Sequence, residues 1–409
     1  MYKINNQKIN FSNLIEFLCF LFASLLIYTI FINDLVGFVS LFLVISFTLI
    51  LGKIYPAVKI ILIVGLTIRL FVLFLGNIFE LPDSGKDAVA FEYYAINFAK
   101  GGFLNVITNH LPAGTSKTLS WIIAIFYSLF GRSLLMVQSF SLLFGIGTIF
   151  LGWMITKKLW DQDKALKVGW VLAFFPSLIL YSTLFMRETY IAFFLLLALL
   201  GVINWTRDKS LKSISLAMLG FFCATFLHGA MAIGGIIFLF FVGFNSLKFF
   251  FRSIFNGRIN YKNLIVIILI FTFFYGYFTN KIEIPKIGTF KNSTNISNLT
   301  KIMNLASQGN AKYPQWLIIN STSEFLYKAP VRTLYFLFSP LPWQIKKINH
   351  LIGLFDSFLY MILFYLIIQN RKVIWKDPAF RIILIILICY FFVYAIGVGN
   401  FGTGLRHRS

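Results

Sequence analysis

The chain has 409 residues, of which 59% are hydrophobic, 19% aromatic and only 12% charged, a composition that excludes an ordinary soluble domain. Its net charge of +22 invites a nucleic-acid reading, but Lys, Asn, Ile and Phe all have AT-rich codons, and membrane topology accounts for most of the remaining excess. Nucleic acid is therefore not an expected partner. Cys19, Cys223 and Cys389 all fall inside apolar runs, where a thiol behaves as a small hydrophobe and points to neither a disulfide nor a metal site.

Apolar runs recur from one end of the chain to the other, and each run of about 20 residues can cross a hydrocarbon core of roughly 30 Å as a helix. The N-terminal MYKINNQKIN precedes an apolar run with no small-residue cleavage site, so it reads as a retained first helix rather than a signal peptide. Spans are expected near 11–31, 35–52 and 57–76. The polar interval 77–117 follows as a first large outer loop. Segment 118–130 is apolar but too short to span comfortably, and a full span comes next at 134–156. Further spans are expected near 166–184, 189–205, 213–229, 231–247 and 262–279. After a second large outer loop at 280–330 come an interrupted segment around Pro340-Leu341-Pro342-Trp343 and spans near 350–369 and 381–398. The fold class is all-α: one polytopic transmembrane helical domain over 1–409, with about eleven spans plus re-entrant or interfacial helices.

Lys and Arg residues set the orientation. With the N-terminus cytoplasmic and 118–130 re-entrant, the inner loops at 53–59, 157–167, 207–212, 248–262 and 371–381 are all basic. Making 118–130 a true span would place those later clusters outside. The expected location is a bacterial cytoplasmic membrane, with the C-terminal end of the sequence outside.

This topology brings the unusual polar groups to one face. Asp83, Asp87 and Glu92 place three carboxylates in ten residues of a chain with only 14 acidic residues. Arg187-Glu188 in a short turn, His228, Arg332 and the terminal Arg406-His407-Arg408 join them, while Arg69 stands apart inside an apolar run. Taken singly, each is explained as a solvated turn or a snorkelling side chain, and Glu188 also as the first residue of a helix whose dipole it favours. Together they suit sugar transfer from a polyprenyl-phosphate or pyrophosphate donor. Asp83 or Asp87 would deprotonate the acceptor hydroxyl. Arg187, Arg332, Arg406 and Arg408 would hold the phosphate leaving group, since a guanidinium binds its oxygens in pairs. Tyr93, Tyr94, Trp316 and Trp343 have the aromatic faces that stack on sugar rings, although interfacial belts also enrich aromatics at such depth.

The residues Asp87-x-x-x-Phe91-x-x-x-Ala95 before Gly101-Gly102, with the later Phe175-Pro176-Ser177 to Arg187-Glu188 stretch, resemble the C-type superfamily of integral-membrane glycosyltransferases. That resemblance covers about 77–205 and implies an essential acidic residue at Asp87 or its neighbour Asp83 and a second at Glu188. It departs from the superfamily in having two additional apolar spans before the acidic loop. The C-terminal third, with Phe338-Ser339-Pro340-Leu341-Pro342-Trp343, Gly353-Leu354-Phe355-Asp356 and the run from Asn400 to Arg408, is similar to membrane proteins of surface-polysaccharide assembly. By general architecture it resembles O-antigen repeat-unit polymerases, which implies undecaprenyl-linked saccharide substrates and other polysaccharide-assembly proteins as partners. Two alternatives stay open: another transferase or ligase with the same chemistry, and a lipid-linked oligosaccharide flippase, for which Arg69 is the main feature. No cofactor is assigned: His110, His228, His350 and His407 lack metal-ligand spacing, so a divalent metal stays open without support from ligand spacing. The sequons at Asn292, Asn295, Asn298 and Asn320 are explained by chance in an Asn- and Ser-rich stretch.

Overall fold

The computed structural model describes residues 22, 25, 33–108, 111–115, 117–256, 261–284, 288–289, 300, 303, 311–345 and 350–408. The span expected near 11–31, Cys19, His110 and the sequons at Asn292, Asn295 and Asn298 lie outside them or nearly so. The described residues are helical, with two isolated bridges and no strand. Six helices are long and apolar enough to cross a membrane: Leu35–Ile54, Lys59–Gly76, Leu134–Leu159, Glu188–Asp208, the Gly229–Phe255 stretch and Pro378–Gly397. The chain is therefore a multi-pass membrane protein. Four shorter apolar helices, among them Thr118–Phe130, accompany the six.

The chain divides into two compact units, residues 1–111 with 119–193 and residues 112–118 with 194–409. In the first, α1 (Leu35–Ile54), α2 (Lys59–Gly76), α6 (Leu134–Leu159) and α7 (Gln162–Phe174) enclose a core of Leu41, Leu62, Leu66, Leu142, Ile146, Ile149 and Trp153. Asp34 caps α1 by accepting from the Gly37 amide at 2.8 Å, and Ser133, which caps α6, donates its hydroxyl to the other Asp34 oxygen at 2.8 Å. Two helix N-termini are thus tied at one point, each with an orphan amide satisfied. The former polar interval is largely helical, as α3 (Lys86–Ala99) and α4 (Gly102–Thr108), followed by α5 (Thr118–Phe130). Ser120 donates to the Phe91 carbonyl at 2.8 Å and Trp121 to that of Val106 at 3.0 Å.

The span expected over 166–184 is interrupted. Pro176 has no amide proton to give the Leu172 carbonyl, so α7 ends at Phe174 and a short α8 (Pro176–Tyr181) begins. Arg69, on α2 and fully buried, supplies what the proline removes. Its guanidinium donates to the carbonyls of Leu172 at 3.4 Å, Ala173 at 3.2 Å and Gly65 at 3.0 Å. A cation at a helix C-terminus also suits the dipole there. This structural role accounts for the charge of Arg69 inside its apolar run.

In the second unit, α9 (Glu188–Asp208, entering from the first) and α10 (Leu211–Leu227) cross at glycine. A Cβ on Gly201 would lie 2.3 Å from the Ala217 amide nitrogen, and one on Gly220 would lie 2.5 Å from that of Ala198. Backbones this close need small residues at the crossing. Gly220→Leu should separate the pair and shorten the lifetime of detergent-solubilised protein on heating, read as loss of the monodisperse size-exclusion peak. The expected cost is at least about 3 kcal/mol, the upper end for overpacking, because the clash is with backbone. Gly397→Ala, where nothing lies within 4 Å, should leave that lifetime unchanged. The remaining elements are α11 (Ala232–Phe255), α12 (Tyr261–Phe278), α13 (Thr322–Phe338), α14 (His350–Gln369), α15 (Arg371–Lys376), α16 (Pro378–Gly397) and α17 (Phe401–Arg408).

Candidate functional site

Between α8 and α9 the backbone leaves the helix, and every residue from Tyr181 to Tyr190 is buried. The sequence places Arg187-Glu188 in a short outer turn for which a solvated position is the plainer explanation; the structure shows the pair buried within the protein instead of solvated. Neighbouring side chains take up its backbone and position it. Gln138 on α6 donates to the Thr183 carbonyl at 3.1 Å, and Ser141 pairs with the Tyr190 hydroxyl at 3.1 Å. Gly145 lets Ser182 approach: a Cβ there would sit 2.6 Å from the Ser182 Cβ.

Arg187 is 8% exposed and Glu188 7%. Glu188 opens α9, where a carboxylate favours the helix N-terminus. Arg187 Nε lies 3.9 Å from Glu188 Oε1, an ion-pair separation too long for a hydrogen bond. Its Nε and Nη1 find no hydrogen-bond partner among the described residues, and neither do the buried hydroxyls of Ser177 and Thr189. Such orphaned donors cost free energy in an isolated fold. Buried N–H groups without partners among the described residues, such as those on Arg187 Nε and Nη1, have capacity left for acceptor oxygens.

Asp83 and Asp87 sit where α3 begins. Asp83 is exposed, holds a left-handed backbone (φ 62°), and accepts from the Tyr181 hydroxyl at 3.1 Å. Asp87 lies in the first turn of α3, half-buried. Phe91 on the same helix packs its ring 6.3 Å from that of Phe185. The structure thus brings α3 and its acidic start against the segment that carries Arg187. Glu92 is drawn away: its carboxylate pairs with Arg132 at 2.9 Å, and that hydrogen bond raises the guanidinium above its usual range. Tyr93 is exposed and meets the half-buried Tyr94 edge to face at 5.9 Å.

The other predicted phosphate ligands belong to the second unit. Arg332 is fully buried. Its Nε donates to Ala395, Nη1 to Leu317, and Nη2 to Ile396 and Val398, at 2.7–3.2 Å. Four of its five N–H groups (one on Nε, one on Nη1, two on Nη2) are thereby committed to carbonyls around the end of α16. Arg408 donates to the Leu337 carbonyl, and Arg406 is half-buried on the same short helix α17. Trp343 is largely exposed in a single helical turn, and Trp316 stands edge to face with Tyr335 at 6.3 Å.

Sequence reasoning missed one cluster. His228, buried at the end of α10, has Nδ1 3.2 Å from the Tyr394 hydroxyl, and the His407 ring stands 5.1 Å from His228 and 4.8 Å from Tyr394. These three residues are far apart in the chain and form no spacing motif; the expected topology sets His228 and His407 on the same face, but nothing in the sequence points to Tyr394. Among the described residues no group of three His, Cys, Asp or Glu is placed to hold a metal ion.

Comparison with protein-family models, with curated proteins and with solved structures finds no match to this chain.

Proposed function

We propose that this protein transfers a glycosyl group from a polyprenyl-(pyro)phosphate donor at the outer face of a bacterial cytoplasmic membrane, with repeat-unit polymerisation of a surface polysaccharide as the leading case. In this reading the chain crosses the membrane about eleven times with its N-terminus inside and its basic loops cytoplasmic. The observation that carries it is Arg187, a nine-tenths-buried guanidinium with two nitrogens lacking hydrogen-bond partners among the described residues, on a non-helical segment next to an acidic helix start. Asp87 takes the proton of the acceptor hydroxyl as its oxygen attacks the anomeric carbon. The bond from that carbon to the phosphate oxygen breaks, the electron pair stays on the phosphate, and Arg187 stabilises the charge. Asp83, tied by Tyr181, shapes the loop. Within the second unit, Arg406 and Arg408 remain separately proposed phosphate ligands, whereas Arg332 has little donor capacity left for that role.

A second reading, a carrier for the lipid-linked saccharide, draws on the helix broken at Pro176, since carriers bind substrate at such breaks. The length distribution of surface glycan in a deletion strain separates the two. Loss of a polymerase leaves single repeat units that are still exported, whereas loss of a carrier leaves none outside. Complementation with Asp87→Asn should give one-unit glycan with normal protein abundance, and Asp83→Asn should restore at least half of the long chains. Equal, mild effects of both substitutions would remove the base assignment.

A further inference from the structure

The last two turns of α14 are largely exposed, with Phe364 resting edge to face on Phe338 at 5.6 Å. Every residue from Ile362 to Asn370 is exposed among the described residues, although seven in succession, Ile362 to Ile368, are apolar or aromatic. An apolar helix exposed on all sides is lipid-facing. Directly after it comes α15, whose sequence RKVIWK holds three cations, with Val373 and Trp375 outward at 61% and 57% exposure. Asp377 then caps α16 by accepting from the Ala379 amide at 2.7 Å, turning the chain back into the bilayer. The cations cannot lie deep in hydrocarbon, and Trp prefers the interface, so α15 marks the level of the headgroups. Arg371, Lys372, Trp375 and Lys376 line an open cavity of about 510 Å³.

We propose that this cavity binds the headgroup of an anionic phospholipid. Arg371, Lys372 and Lys376 meet its phosphate charge, Trp375 lies at the glycerol level, and its acyl chains lie along the exposed apolar turns of α14. The site takes up none of the residues proposed for glycosyl transfer. A free anion would be served by the three cations alone. Only a lipid also accounts for the apolar surface that continues from the cavity down α14.

The test uses the full-length protein in mild detergent, with phosphatidylglycerol or phosphatidylcholine added and retained lipid counted by native mass spectrometry. Wild type should retain phosphatidylglycerol at least tenfold more than phosphatidylcholine. Removing all three charges with R371Q/K372Q/K376Q should abolish that preference, because each basic group near an anionic surface contributes about fivefold. The single variants Lys372→Gln and Lys376→Gln, both exposed, should each cause a partial loss and serve as evidence independent of any folding defect in the triple variant. Equal retention of the two lipids by wild type would overturn the proposal, as would an undiminished preference in the triple variant. Displacement of the lipid by millimolar inorganic phosphate would show a free-anion site instead, and cross-linking of Lys372 to a second copy in proportion to protein concentration would show a protein occupant.

Discussion

Replacing Arg187 and Glu188 together, as R187M/E188Q, should abolish glycan polymerisation while making the purified protein more stable. A buried ion pair recovers its desolvation cost only when its remaining hydrogen-bonding groups are satisfied, and here Arg187 Nε and Nη1 have no such partner among the described residues. Exchanging the pair for neutral groups of similar size should raise resistance to thermal aggregation in detergent by about 1–4 kcal/mol. Activity should fall at least ~100-fold, the loss expected when one charge-stabilising donor is removed from a transition state. Arg187→Lys keeps the charge but not the planar fork and should fall between. A destabilised double variant would mean that the pair serves the fold, and the phosphate role would lose its support.

Arg332→Met should do the opposite. It leaves the carbonyls of Leu317, Ala395, Ile396 and Val398 without the donors that now reach them. Each buried orphan costs about 1–3 kcal/mol, so the variant should lose at least ~3 kcal/mol and fall sharply in membrane abundance. Measuring abundance and polymer per molecule separately distinguishes the roles. If normal abundance accompanies lost polymer, Arg332 belongs with the phosphate ligands after all.

The two arginines show what the sequence could and could not convey. Both stand near the ends of apolar runs, and composition treats them alike. Whether a guanidinium meets carbonyls or stands open depends on elements distant in the chain: Arg332 is closed by residues 63 to 66 positions away. Hydropathy placed the long helices well, since spans expected near 35–52, 57–76, 134–156, 189–205 and 381–398 each overlap a helix long enough to cross. It misplaced the break at 166–184, because a run that stays apolar through Phe174-Phe175-Pro176-Ser177 hides a missing amide that only Arg69 reveals. Residues 185–189 read as a short outer turn because they fall between two apolar runs, and a sequence does not show that other parts of the chain close over such a turn. The acidic start of α3 was legible because carboxylates are so scarce here. The His228, Tyr394 and His407 cluster was not, because aromatic rings are common throughout the chain.

The glycine crossing of α9 and α10 bears on how the chain is made. Only Lys209 and Ser210 separate the two helices; Lys209 adopts a left-handed backbone, and Ser210 and Asp208 hydrogen-bond within the turn. Their partner surfaces therefore leave the ribosome one after the other, within about 40 residues, and can close on each other at small loop-closure cost. This hairpin is suited to insert and zip as one piece, ahead of the C-terminal helices that later pack beside it. A defect at Gly201 or Gly220 would then also act during biogenesis, adding quality-control proteolysis of nascent protein to the shorter lifetime of the mature protein.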